Sequence, residues 1–175
     1  MHRNSSTQRE QAAVPGSPSR DTAAAWHEAG HAVGAYLLGV PFGDVRLATP
    51  DSGEGSVVAS ITVREIRESD LCWEVGVVLM LGREAERLTF GRADRTFLQS
   101  DAAGIVSTYL TFFHPGMSCQ SFRKELRART RELVAWPGFR EALATLAHLV
   151  EAERVVPQSR AIDMIRQEIA KHTTS

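Results

Sequence analysis

Cysteine is scarce in this chain, and the few cysteines form no framework. Only two occur among the 175 residues, Cys72 and Cys119, and they make neither a CxxC pair nor the dense spacing of a disulfide scaffold. Disulfide-poor chains are typical of reducing compartments, so the expected location is the cytoplasm.

Long apolar runs are missing as well. No stretch approaches the roughly 18 uninterrupted apolar residues of a membrane-spanning helix. Residues 1–20 also lack the apolar segment that a secretory signal needs. These absences predict a soluble protein without a membrane span.

The chain has no excess of charge of one sign. Its 20 Lys and Arg residues nearly cancel its 21 Asp and Glu residues, so no broad electrostatic field points to nucleic acid as a partner. The 43% hydrophobic content is enough for one sizeable core. We expect a single domain over residues 21–175, preceded by a flexible Ser- and Pro-containing tail over residues 1–20.

Apolar periodicity predicts a mainly α fold with a small β-sheet, that is, an α+β domain. The first helix is expected to begin at an N-cap of Asp21 or Thr22 and to end before Gly39. Two strands are predicted at 44–49 and 56–63, where Val, Ile and Thr are frequent. A second helix is predicted at 69–89, and a third from an N-cap at Ser100 through Leu110. Three more helical segments are predicted at 122–133, 139–150 and 162–169, and Pro137 and Pro157 mark the breaks between them.

A metal-binding motif lies in the middle of the first predicted helix. His27 and His31 are four residues apart, so their imidazoles lie one turn apart on one helix face, where one zinc ion can bridge them. Glu28 falls beside that face and is placed to act as general base on a zinc-bound water without being a ligand. Gly30 costs roughly 1 kcal/mol of helix propensity relative to Ala, which indicates a packing or site reason for it.

Two histidines do not complete a catalytic zinc site, which usually has three protein ligands and one open position. Spacing alone does not identify the third ligand. The candidates are Cys72, Cys119, His114, His148, Glu54, Glu74, Glu84, Glu86 and Asp101. Both cysteines are better interpreted as small buried hydrophobic residues, because thiolates mostly build closed structural sites.

Three motifs, taken together and in order, resemble the FtsH-type zinc peptidases (peptidase family M41), the proteolytic half of membrane-bound AAA+ proteases. Residues 26–33, with the sequence WHEAGHAV, are similar to the active-site helix of that family. Residues 81–91, with the sequence LGREAERLTFG, look like its LGGRxAEExxFG helix end. Ser100-Asp101 resembles its SNDL segment, whose aspartate is the third zinc ligand. The likeness covers about residues 21–172.

The resemblance implies an FtsH-peptidase-like zincin fold and assigns roles to residues. His27, His31 and Asp101 would be the zinc ligands and Glu28 the base. Glu86 would act as a neighbour of the metal ligands or as a packing residue. The family usually carries an ATPase module, but this sequence contains no GxxxxGK[ST] loop. The first strand also lacks the family's Pro-Arg-Gly signature and has Ala48-Thr49-Pro50 instead.

The leading hypothesis is therefore a zinc-dependent endopeptidase that hydrolyses peptides or unfolded proteins and is ATP-independent on its own. A strand such as 56–63 is a candidate to pair with the extended substrate. A separate ATPase is a candidate partner, and the family's rings suggest a homo-oligomer. The alternatives are a zinc-containing binding or regulatory module without turnover, and a repressor-cleaving HExxH peptidase.

Overall fold

The structure is a computed structural model, and it describes residues 18–47, 56–57, 71–93 and 98–173. Within these ranges the chain is mainly helical with a small antiparallel sheet, as the sequence predicts. The elements are α1 (Arg20–Leu38), β1 (Val45–Arg46), β2 (Ser56–Val57), α2 (Cys72–Phe90), α3 (Leu98–Thr108), a π-helical turn (Tyr109–Phe113), α4 (Cys119–Val134), α5 (Phe139–Glu153), β3 (Val155–Val156) and α6 (Gln158–Thr173). The predicted tail falls mostly on residues 1–17, outside the described residues.

Helix α1 is bounded by two residues suited to helix ends. Ser19 is the N-cap, and its hydroxyl accepts a hydrogen bond from the backbone N–H of Thr22 at 3.0 Å. Gly39 ends the helix in the left-handed conformation with a φ of 69°. The predicted stop at Gly39 is confirmed, but the predicted N-cap was wrong, because Asp21 and Thr22 lie inside the first turn.

Glycines allow α1 and α2 to pack backbone to backbone. A Cβ at Gly30 would lie 2.6 Å from the carbonyl oxygen of Leu81 and 2.7 Å from Cβ of Ala85. A Cβ at Gly34 would overlap the side chain of Leu81, which is fully buried. The packing reason predicted for Gly30 is confirmed, and this close approach brings α2 against the histidine face of α1.

Helix α2 is central, as its apolar pattern predicts. It packs against α1, α3 and α4, and α1 also packs against α5. Both ends of α2 are near their predicted positions, since it spans Cys72–Phe90 and is capped by Gly91, which has a φ of 73°. Helix α3 begins at Leu98, so Ser100 already lies within the helix and is not its N-cap.

The sheet has three strands in the order β2-β1-β3, all antiparallel. The predicted strands at 44–49 and 56–63 are represented by β1 and β2, and residues 48–49 and 58–63 lie outside the described residues. Strand β3 was missed, because Val155–Val156 is a two-residue strand between Arg154 and Pro157 that leaves no periodic signal. Its Val45↔Val156 pairing connects the C-terminal helices to the first strand.

The predicted breaks in the C-terminal helical region are confirmed. Helix α4 ends at Val134 before Pro137, and α6 begins directly after Pro157. Phe122, Leu126, Leu143, Leu146 and Ile165 are fully buried side chains from α4, α5 and α6 in the common core. Helix α4 packs against α2, and helices α5 and α6 pack against α1.

Candidate metal centre

Helix α1 places two imidazoles together in the interior. Nε2 of His27 lies 3.1 Å from Nε2 of His31, and the two rings meet nearly edge to face with centroids 4.7 Å apart. Their exposed fractions are only 3% and 8%. The four-residue spacing thus brings both Nε2 atoms to one buried point, as the sequence predicts.

Helix α3 adds a carboxylate at the same point. Oδ2 of Asp101 lies 3.2 Å from Nε2 of His27, and Oδ1 lies 3.5 Å from Nε2 of His31. Asp101 is also buried. His27, His31 and Asp101 therefore form a group that could hold a metal ion, with one ligand atom from each residue and all of these atoms within 4.8 Å of one another.

Helix α2 fixes the outward nitrogen of each ring. Nδ1 of His27 donates to Oε1 of Glu86 at 2.7 Å, and Nδ1 of His31 donates to the backbone carbonyl of Val78 at 2.7 Å. A backbone carbonyl can only accept, so the proton of His31 lies on Nδ1 and its Nε2 lone pair faces Asp101. Such contacts commonly set the tautomer and ring orientation of metal-binding histidines.

Three groups that donate electron pairs converge at this point, which is unfavourable unless a positive charge lies among them. Oδ2 of Asp101 is buried and has no hydrogen-bond partner in the described part of the chain. Nε2 of His27 lies 3.2 Å from this oxygen, a contact that becomes an ion pair when the imidazole is protonated. A buried carboxylate oxygen left this way carries a desolvation cost that a cation would offset.

Without a metal ion, a proton on His27 can supply this positive charge. Burial disfavours the charged imidazole, but the contacts with Asp101 and Glu86 and the charge of Glu28 outweigh burial and raise the pKa of His27 to about 9. Burial likewise opposes ionisation of Asp101, but the imidazoles of His27 and His31 lower its pKa to about 2. The site thus favours an anionic carboxylate beside a cation.

Glu28 lies in α1 next to these residues and is 4% exposed. Its carboxylate is close enough to His27 to contribute to the raised pKa of that imidazole. A buried carboxylate at this position, outside the group of three possible ligands, suits the transfer of a proton.

The other candidates for the third ligand that the structure describes are not part of this group. Glu86 contacts the outward Nδ1 of His27 and not the shared point. The two cysteines, Cys72 and Cys119, are half-buried and begin α2 and α4. The ring of His114 packs on Tyr109, and that of His148 packs on Trp26. Glu84 lies 3.9 Å from Arg87, and Oε2 of Glu74 has no hydrogen-bond partner among the residues that the structure describes. Glu54 lies outside those residues. Asp101 is therefore the candidate that the structure brings to the two imidazoles.

Sequence reasoning missed Val78 altogether. Its contribution to the site is a backbone carbonyl, which any residue type provides, so no sequence signal could have identified it. Val78 lies on α2 four residues before Gly82 and eight before Glu86. Its contact with His31 forms only when α2 packs against α1.

The comparisons with known proteins do not assign the chain to a family. No family model matches the chain, and no curated protein matches it either. Within the described ranges, none of the helices combines the length and apolar character needed to cross a membrane.

Proposed function

We propose that this protein is a zinc-dependent endopeptidase of the FtsH type, in which His27, His31 and Asp101 bind Zn²⁺ and Glu28 is the general base. The observation that carries the proposal is the convergence of the three buried ligand groups on one point. The HEAGH motif supplies both histidines and the base from one helix, and a helix distant in sequence supplies the carboxylate.

The spacing of the ligand atoms fits zinc. A tetrahedral zinc ion with bonds of about 2.0–2.1 Å separates neighbouring ligand atoms by about 3.3 Å. The three separations here are 3.1, 3.2 and 3.5 Å. Two imidazoles and a carboxylate are a donor set that zinc accepts, and three protein ligands leave a fourth position open for chemistry.

Zinc, when bound, supplies a Lewis acid that acidifies water and polarises a peptide carbonyl. The protein's own residues do the rest. Glu28 takes the proton from the attacking water and returns it to the departing amine, as a general base and then a general acid. Glu86 and Val78 keep both imidazoles oriented with Nε2 toward the shared point.

The proposed substrate is an extended peptide or an unfolded chain. Strand β2 pairs only with β1 in the described sheet, so it lies at an edge there. An edge strand offers unpaired backbone groups with which an extended chain can pair. This supports the predicted use of the 56–63 segment, of which residues 58–63 lie outside the described residues.

The proposal includes no energy-dependent unfolding by this chain. The 175 residues contain no GxxxxGK[ST] loop, and a separate ATPase is a proposed partner for the unfolding of folded substrates. Assembly of several copies follows only from the resemblance to the ring-forming FtsH-type peptidases. A cytoplasmic location likewise remains a proposal from the composition.

Zinc content and cleavage test the proposal together. We expect about one zinc per chain by elemental analysis after reconstitution, and cleavage of an unfolded protein such as casein that stops on chelation and needs no ATP. His27→Ala and His31→Ala should each lose most of the zinc. A wild-type protein that takes up no zinc would contradict the metal site. Full zinc occupancy without cleavage of a broad peptide panel would favour the binding-module alternative.

A further inference from the structure

Helix α2 presents three successive contacts to the histidine face of α1. Val78, Gly82 and Glu86 are spaced by four residues, so they lie on one face of α2. The carbonyl of Val78 holds His31, and the carboxylate of Glu86 holds His27. Gly82 lies between these two contacts, opposite both imidazoles.

The position of Gly82 leaves no room for a side chain. A Cβ there would lie 2.5 Å from Nε2 of His31, 2.7 Å from Cε1 of the same ring and 2.7 Å from Nε2 of His27. Real Cβ atoms do not approach other heavy atoms this closely. The imidazoles are pinned at Nδ1, so they could move away only by breaking their contacts with Val78 or Glu86.

We propose that Gly82 is a positioning residue of the metal centre, and that its missing side chain lets both imidazoles lie against the backbone of α2 with their Nε2 atoms 3.1 Å apart. Any side chain at this position displaces the two ligand atoms from the geometry that a single zinc ion requires. The inference rests on the zinc site proposed above. It means that the backbone of α2 determines the distance between the two histidine Nε2 atoms.

The first test is metal binding by Gly82→Ala. We expect its zinc affinity, measured by competition with a chromophoric chelator, to fall by at least about 10–100-fold, the loss typical when the support of a metal ligand is removed. With Co²⁺ as the probe, the visible absorption bands of the wild-type site should shift or disappear. Wild-type affinity together with an unchanged Co²⁺ spectrum would overturn the role of Gly82.

Gly104→Ala is the matched control. Gly104 lies in α3, three residues after Asp101, and its added Cβ would meet Cδ1 of Leu79 at 3.0 Å, the end of a flexible side chain. The same Gly to Ala change should therefore leave zinc affinity within about threefold of wild type, because an ordinary substitution that adjusts locally costs little. An equal loss in both variants would mean that Gly82 has no special role.

A double-mutant cycle in the chelated protein tests the contact itself, even if Gly82→Ala folds poorly. Because the added Cβ overpacks the site, Gly82→Ala should lower the Tm by roughly 3–10 °C. In a His31→Ala background most of that penalty should vanish, since two of the three close contacts are with the His31 ring. An undiminished penalty would overturn the proposal.

The two proposals fail in different ways. If wild-type protein takes up neither zinc nor cobalt, the zinc site is contradicted. If wild type and Gly82→Ala bind both ions equally well, only the role of Gly82 is contradicted.

Discussion

Nδ1 of His27 and Oε1 of Glu86 lie 2.7 Å apart, although the two residues are 59 positions apart in the chain. Both residues are almost completely buried, at 3% and 1% exposed. The contact joins α1 to α2 at the point where the HEAGH motif meets the segment at 81–91. It also raises the pKa of His27, so the two side chains are coupled electrostatically as well as sterically.

Removal of the Glu86 carboxylate should weaken metal binding without abolishing it. We expect Glu86→Ala to lower zinc affinity by about 10–100-fold, because the ring of His27 loses the partner that fixes its orientation. Glu86→Gln should lose less, since its amide oxygen still accepts from Nδ1. Glu84→Ala is the control, because Glu84 points to Arg87 on the same helix. Zinc titration with a competing chelator measures all three, and no difference between Glu86→Ala and Glu84→Ala would contradict the prediction.

Removal of Asp101 should cost more than removal of Glu86. Asp101 faces both Nε2 atoms, whereas Glu86 contacts the outward Nδ1 of His27. Asp101→Ala should therefore lose zinc affinity well beyond the 10–100-fold expected when only a supporting contact is lost. The exposed Asp163, which pairs with Arg166 in α6, provides the control Asp163→Ala. The opposite order of losses would identify Glu86 as the third ligand.

The sequence predicted the half of the site that lies within one helix. The spacing of His27 and His31 determines a shared face as soon as α1 forms, and the small residues around them indicate close packing. The unfavourable helix propensity of Gly30 was enough to predict close packing at this position. Leu81 and Ala85 are the neighbours that leave no room for a side chain there.

The contributions of α2 and α3 could not be obtained from spacing. Nine residues were open as the third ligand, and only the packing of α3 brings Asp101 to the imidazoles. The resemblance named Asp101 because it rests on an ordered set of motifs, not on periodicity. Strand β3 and the carbonyl of Val78 carry no side-chain signal at all, since both act through the backbone.

The stability of the metal-free protein should depend on pH through His27. Its pKa rises from 6.5 to about 9 on folding, so its contribution is complete below about pH 6.5 and is lost as the pH rises through 9. The pKa of Asp101 falls from 3.8 to about 2, so its contribution is complete above about pH 3.8 and is lost as the pH falls through 2. Chelated protein should therefore unfold at lower urea concentrations at pH 9 than at pH 6.5.

His27→Gln is the control for this pH dependence, because the amide does not titrate. The decrease in unfolding midpoint between pH 6.5 and pH 9 should be smaller in the chelated variant than in chelated wild type. Equal decreases in both proteins would assign the effect to other groups.

Glu28 should be needed for chemistry and dispensable for metal. It lies outside the His27, His31 and Asp101 group, yet it is buried and close enough to affect the pKa of His27. Glu28→Gln keeps the shape of the side chain and removes its basic carboxylate, and the loss of a general base typically slows a reaction by about 10²–10⁴-fold. The variant should bind one zinc per chain and unfold near the wild-type temperature, while casein cleavage falls by that factor.

The control is Glu132→Gln, at an exposed position in α4, which should cleave casein at the wild-type rate. Loss of zinc from Glu28→Gln would make Glu28 a ligand, and undiminished cleavage would show that another group takes the proton.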